Sequence, residues 1–329
     1  MNLYFAISIL LLFIPLIICL KRQKLASFFD VYDLPDKRKK KHFGKVPLIG
    51  GFIFFSYFNI FFILNIIYFS FIPKFISLIF IFYTNIFFFL GFLDDKYKIR
   101  PFLKIIFIIV SLSLIYSLFQ KFYLSTVYIA TIDKLINFGI FFTILCILLL
   151  QISINLSDGS NGVVGLYSVF WSIVLIYLNR SFFLNIVLSL FVLNLIIFLL
   201  FNFRTKIFLG TAGCNYIAAF FSVISIYLNN NQFIPSEYFV SLFFIPGIDM
   251  IRIFLLRLYR KKNIFTFDRN HLHHILVKRF GKFDSLIYLL ICVIFFFFST
   301  LFQQKSYLLF LIIFSSIYII GLNKLCKKK

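Results

Sequence analysis

From Phe75 to Leu90 the chain reads FISLIFIFYTNIFFFL, with no charged side chain in the run. A hydrocarbon core about 30 Å thick takes about 20 apolar residues of helix, and stretches of this kind recur along the whole sequence. That recurrence leaves few architectures. Backbone N–H and C=O groups cannot stay unpaired in lipid, so a spanning segment is a helix or a strand of a closed barrel. The alternation of a barrel strand is absent. The chain is therefore expected to be all-α, a polytopic membrane helix bundle of about 11 transmembrane helices. The spans fall at 2–20, 46–72, 75–93, 102–119, 135–155, 162–178, 182–201, 207–228, 238–256, 284–302 and 307–323. Water as the main solvent is excluded by 62% hydrophobic residues and a mean hydropathy of +1.02 over 329 residues. A single integral-membrane domain over 1–329 is expected.

The net charge of +22 first suggests a nucleic-acid partner, but its placement argues otherwise. With the N-terminus outside, 28 of 33 Lys and Arg fall on one side, leaving Lys74, Lys121, Lys134, Arg180 and Lys305 on the other. This is the positive-inside pattern. It predicts N-terminus out, C-terminus in, and cytoplasmic loops at 21–45, 94–104, 156–161, 202–206 and 257–282. Cytoplasmic Lys and Arg face anionic headgroups at about 1 kcal/mol each near the surface, so membrane lipid is the expected partner of this charge and nucleic acid is not. The first span has its charges after it, as an anchor does and a cleaved signal does not. The five Cys form no CxxC pair and read as reduced packing residues.

All four His and nine of the eleven acidic residues share the predicted cytoplasmic side. Positive-inside says nothing about His or Asp, so their placement needs its own cause. In GFLDD, Asp94 and Asp95 stand where the third span leaves the membrane. Acids at a helix C-terminus oppose the macrodipole and adjacent carboxylates repel; a divalent cation or a shared proton would relieve both. A solvated helix end with Lys96 and Lys98 as counter-ions is the plainer reading. NLSDGSNGVVG, residues 155–165, reads as a tight Asx-Gly turn before a helix N-terminus, which suits phosphate or a plain interhelical connection. FDRNHLHHILVKRFGK, residues 267–282, gathers His271, His273, His274, Asp268 and Arg269. Phosphate recognition is the first reading, a solvated basic loop the second and zinc a distant third, since H-x-H-H lacks the i, i+4 spacing of helical zinc ligands. DLPDKRKKKHFGKVPLIGG, residues 33–51, has Pro and Gly that suggest a shaped loop.

Together these segments resemble the polyprenyl-phosphate sugar-1-phosphate transferases, glycosyltransferase family 4, of the undecaprenyl-phosphate GlcNAc-1-phosphate transferase type. The resemblance covers nearly the whole chain: D-x-P…RK…H…P…GG in the first loop, GFLDD…P..K at 91–104, N-x-x-DG-x-x-G at 155–162, N-F…K-I-F-L-G at 202–210 and IPGIDMIRIFLLRLYRKKNIFTFDRNHLHH at 245–274. It implies phosphoryl transfer at the cytoplasmic face. A UDP-linked amino sugar, by default GlcNAc, donates its sugar-1-phosphate to undecaprenyl phosphate and releases UMP, with Mg²⁺ or Mn²⁺ on the diphosphate. By the same resemblance Asp94, Asp95, Asp158 and His271 are catalytic positions. Asp94, Asp95 and Asp158 are also the metal positions. Lys104, Asn155, Asn161, Asn202, Arg269, His273 and His274 contact substrate. The implied location is the bacterial cytoplasmic (inner) membrane, multi-pass, with a homodimer as the implied assembly. The physics agrees: two anionic reactants meet only where a metal and fixed cations cancel their repulsion.

The sequence departs from the family pattern at two acids. Thr211 stands where the family's F-x-G-D-x-G-S has its metal-binding Asp, and Asn161 stands at the second acid of DG-x-DG. A hydroxyl is a poor substitute for a carboxylate on Mg²⁺. A catalytically impaired member that binds carrier lipid or nucleotide is therefore the main alternative. A lipid-sugar transporter is the lesser one, because transporters place ionisable groups near the bilayer midplane.

Overall fold

A computed structural model describes residues 2–34, 44–120, 122–129, 131–263, 270–302 and 306–327, without the side chains of 2, 3, 5, 282 and 325–327. Among the described residues nine helices are long and apolar enough to cross a membrane. They are α4 (Gly50–Leu64, continued by a π-turn to Phe69), α5 (Lys74–Tyr97), α6 (Pro101–Leu118), α7 (Ile140–Ser157), α9 (Phe182–Asn202), α10 (Gly210–Asn230), α11 (Ser236–Tyr259), α13 (Asp284–Leu301) and α14 (Tyr307–Lys327). Before them come α1 (Asn2–Leu10), α2 (Phe13–Leu20) and α3 (Arg22–Phe29); α8 (Val163–Leu178) and α12 (Leu272–Phe280) lie between. The chain is an all-α, multi-pass membrane protein.

The eleven expected segments all carry helix, but two differ from a full straight span. The first is a broken pair, Ala6–Leu20 and Arg22–Phe29, bent by 70°, which brings the count to ten if taken as one. Val163–Leu178 has only 16 residues. The fifth span also starts later than expected. Thr126–Ile129 (β3) and Lys134–Asn137 (β4) form an antiparallel hairpin, so α7 begins at Ile140 and not at 135.

The residues fall into two compact units: 1–122 with 171–224, and 123–170 with 225–329. Lipid tails are as apolar as Phe, so helices within a membrane are held by packing and interhelical hydrogen bonds. In the first unit the core is aromatic. Phe191 stacks on Phe220 with centroids 4.0 Å apart, Phe55 on Phe88 at 4.2 Å and Phe62 on Phe80 at 4.9 Å. Each such pair contributes about 0.5–1.5 kcal/mol beyond area. Asn59 and Asn85 exchange two amide hydrogen bonds of 2.7 Å between α4 and α5. Every residue from Ala212 to Ile224 is buried. The short strands β1 (Tyr32–Asp33) and β2 (Val46–Pro47) pair, and Pro47 accepts a bond from the Phe208 N–H that leads into α10.

In the second unit α11 packs on α7 and α13, and α12 packs on α13. Tyr307 on α14 donates to the Glu237 carbonyl at 2.8 Å, and Phe295 stacks on Phe244 at 4.3 Å. Glu237 Oε1 accepts the backbone N–H and hydroxyl of Thr131, and Asn229 Nδ2 donates to the Thr126 carbonyl, which together fix the hairpin.

Candidate functional site

The first cluster lies in the first unit and starts from a helix stop. Lys98 takes a left-handed conformation (φ 53°) and ends α5; Arg100 is extended and Pro101 opens α6 at its first position. A residue before proline avoids the helical region, and proline presets the next helix. The reversal, Lys98 to Arg100, returns Lys104 to Asp94. Its Nζ donates to Asp94 Oδ2 at 2.6 Å, a charge-assisted bond. The Asp94 side chain is 8% exposed and that of Lys104 31%. The cation is thus wet on one side and the carboxylate is not.

Asp95 has a different partner. Its Oδ1 accepts the Thr211 N–H at 2.9 Å and its Oδ2 the Ala212 N–H at 3.0 Å. These are two of the four orphan donors at the start of α10, and the positive end of that helix favours a carboxylate. The strain expected of two acids at the end of α5 is therefore relieved by Lys104 for one and by α10 for the other. Gly91, one turn before Asp95, makes this approach possible: a Cβ there would lie 2.5 Å from Ala212 Cα and from Thr211 O. Asn202 Nδ2 donates to the Ile207 carbonyl at 2.9 Å, which braces the 203–209 loop into α10. Thr211, at the position where the resemblance expects an Asp, is the residue whose N–H is capped by Asp95.

The second cluster lies in the second unit. After α7 ends at Ser157, residues 158–162 turn and α8 begins at Val163. Asn155, Asp158 and Asn161 are each half-buried. Ser160 Oγ donates to Asp284 Oδ2, which ties the turn to the start of α13. Gly159 presses its backbone against the His273 ring; a Cβ there would fall on Nε2. His273 is 2% exposed, and neither ring nitrogen has a hydrogen bond among the described residues. Burial, and secondarily the neighbouring His274 and His271, hold its pKa well below the ordinary imidazole value, with Asp249 opposing. His273 is therefore a neutral ring, able to donate one N–H and not to supply a fixed positive charge. The rings of His271 and His273 lie 5.6 Å apart at 12°, and His274 is 4.1 Å from His273.

Beneath the imidazoles sits a charged hub. Asp249 and Arg252, at i and i+3 on α11, are 4% and 1% exposed. Asp249 Oδ1 accepts from Arg252 Nη2 at 2.8 Å, and Oδ2 meets His271 Nδ1 at 3.0 Å. An acid and an arginine inside an apolar span was the available signal, because such groups are costly in a membrane and mark function. Arg269, with Pro35, Arg38, His42, Phe265 and Asp268, lies outside the described residues.

Among the described residues no group of three or more His, Cys, Asp and Glu is arranged to hold a metal ion. Mg²⁺ rarely needs such a cage: it takes one or two carboxylates and completes its octahedron with phosphate oxygens and water. Each unit offers a carboxylate suited to that use, Asp94 in the first and Asp158 in the second, and among the described residues neither offers the donor set of a structural zinc.

Residues 77–229 match the family model described as glycosyl transferase family 4. The match supports glycosyl transferase family 4 as the family this chain resembles. The match includes Asp94, Asp95, Lys104, Asp158 and Thr211 and stops before Asp249 and the histidines. The chain is 28% identical over 271 residues to the undecaprenyl-phosphate alpha-N-acetylglucosaminyl 1-phosphate transferase of Escherichia coli strain K12, covering 78% of this chain and 71% of that one. It is 26% identical over 288 residues to the protein of the same name in Thermotoga maritima, covering 86% and 84%. Together the family match and these relatives support a glycosyl-1-phosphate transferase.

Proposed function

We propose that the protein transfers a HexNAc-1-phosphate from a UDP-sugar to undecaprenyl phosphate at the cytoplasmic face of the bacterial inner membrane, with its N-terminus out and C-terminus in, and that this starts a cell-envelope glycan. An oxygen of the lipid phosphate attacks the phosphorus that carries the sugar. The bond from that phosphorus to UMP breaks, and the products are lipid diphosphate-sugar and UMP. Such a reaction needs positioning and charge neutralisation more than covalent chemistry.

What carries the reading is the Asp94–Lys104 pair at the end of α5, inside the family match: a buried carboxylate beside a partly exposed cation. Lys104 offers a donor to a phosphate at the membrane surface. Asp94 holds Lys104 in place and offers its second oxygen to a proton or a divalent cation. Asp95 aligns α10 and the carboxylate pair. Asp158 and the neutral His273 serve the nucleotide sugar in the second unit, and His271 donates to phosphate. A divalent cation held mainly by the substrate's own oxygens would neutralise charge on the diphosphate, with Asp94 the carboxylate the first unit offers it and Asp158 the one the second unit offers.

One observation favours a second reading. Thr211 sits at the capped N-terminus of α10 without the carboxylate that the family pattern has there, as expected of an impaired member that binds lipid or nucleotide without turnover. Membranes given undecaprenyl phosphate, a panel of UDP-sugars and Mg²⁺ separate the two. UMP release that Asp94→Asn abolishes supports the transferase; release seen only in Thr211→Asp supports the binder.

A further inference from the structure

Asp249 makes more contacts than an ion pair requires. Its two oxygens meet Arg252 Nη2 (2.8 Å) and Nε (3.3 Å), the Leu272 N–H (3.2 Å to each), the Tyr318 hydroxyl (3.4 Å) and His271 Nδ1 (3.0 Å). Arg252 also donates to the Asn270 carbonyl and, at 3.4 Å, to Asn323. From the loop that leads into α12 the pair holds Asn270, His271 and Leu272. A buried ion pair is weak evidence for stability, since apolar residues of like volume often serve as well. What this one does is fix three consecutive residues at the start of α12.

His271 is the N-cap of α12 and makes no side-chain capping bond of its own; the Leu272 N–H is satisfied by Asp249 instead. The ring is thereby released from capping and turned onto the carboxylate. A carboxylate held by a guanidinium can only accept, so Nδ1 carries the proton of that bond. Nε2 makes no hydrogen bond among the described residues.

We propose that Asp249 is a positioning residue for His271: it accepts the hydrogen bond of the Nδ1–H, locks the ring at the head of α12, and leaves Nε2 as the nitrogen presented to the reacting phosphate. Arg252 keeps the carboxylate ionised and holds the Asn270 carbonyl, so the pair acts as one part. The last step, from Nε2 to phosphate, rests on the transferase reading; the Asp249–His271 geometry does not.

The chain has four His, few enough to assign one by one in ¹⁵N-histidine-labelled protein in nanodiscs by His→Gln variants. At a pH where His271 is neutral, its proton is expected on Nδ1. A neutral His271 protonated on Nε2 overturns the proposal whatever the turnover. The second arm is Asp249→Leu with Arg252→Met, which removes both charges together and so leaves no buried ion unpaired. The folded double variant should lose the Nδ1–H signature and drop in kcat by about 10²-fold or more, as orienting acids behind catalytic imidazoles do. A folded double variant within threefold of the native kcat overturns the proposal; if it does not fold, the native tautomer decides. Absence of UMP from native protein with every donor speaks against the transferase reading, and the NMR arm still decides Asp249.

Discussion

Replacing Gly91 by Ala adds one methyl group at the point where α5 meets α10. The new Cβ would lie 2.5 Å from Ala212 Cα and from Thr211 O, and 2.6 Å from Ala212 N. Ordinary contact begins at 3.4 Å, so the two helices must part by about 0.9 Å. All three atoms belong to backbone, and no side chain can swing away. Asp95 lies one turn further along the same face, with bonds of 2.9 and 3.0 Å to Thr211 and Ala212. The same displacement stretches them to about 3.8 Å, beyond hydrogen-bond length. Overpacking of this kind costs about 1–3 kcal/mol, and a 1 Å misplacement near the chemistry costs about 10²-fold in rate. The assay is UMP release together with a thermal melt in the same detergent. Gly247→Ala is the control, since nothing lies within 4 Å of a Cβ at that position of α11. A Gly91→Ala protein with native melting and a rate within threefold of native would refute the claim that close α5–α10 contact sets the Asp95 geometry.

Three further outcomes are expected. Lys104→Met removes the partner of Asp94; UMP release should fall by about 10²-fold with a raised KM for the lipid phosphate, and Lys104→Arg should recover part of it. Arg252→Met leaves the Asp249 carboxylate buried beside one partner fewer, at a cost of about 3–5 kcal/mol, seen as a large drop in melting temperature that Asp249→Leu in the same chain largely reverses. His273 has a folded pKa below its unfolded value, so its neutral burial is fully compatible with folding above about pH 6.5 and stability falls as pH drops below that toward the folded value; a melting temperature that falls between pH 7 and 5, and falls less in His273→Phe, is the check.

Much of the fold is legible because lipid enforces it. A span must be helical and about 20 residues long, so apolar runs locate α4 to α7, α9 to α11, α13 and α14 within a few residues. Breaks inside apolar sequence are not legible in this way. The 70° bend at Lys21 carries no Pro or Gly. Leu135 and Ile136 look like the start of a span and are in fact strand, because four residues of alternation cannot be told from an apolar run. Within the clusters, the sequence shows residue types and sides but not partners. Asp94 and Asp95 are adjacent and alike in sequence, yet one faces Lys104 ten residues on and the other faces a helix start 116 residues on. Asp249 stands inside an apolar helix, and its link to His271 lies across 22 residues that no periodicity relates.

The most direct measurement is single-turnover product formation with radiolabelled undecaprenyl phosphate, a UDP-HexNAc and Mg²⁺, comparing native protein with Asp94→Asn and Lys104→Met. The account predicts lipid diphosphate-sugar and UMP in equal amounts from native protein, none from Asp94→Asn and about 10²-fold less from Lys104→Met. Full product from Asp94→Asn would contradict it.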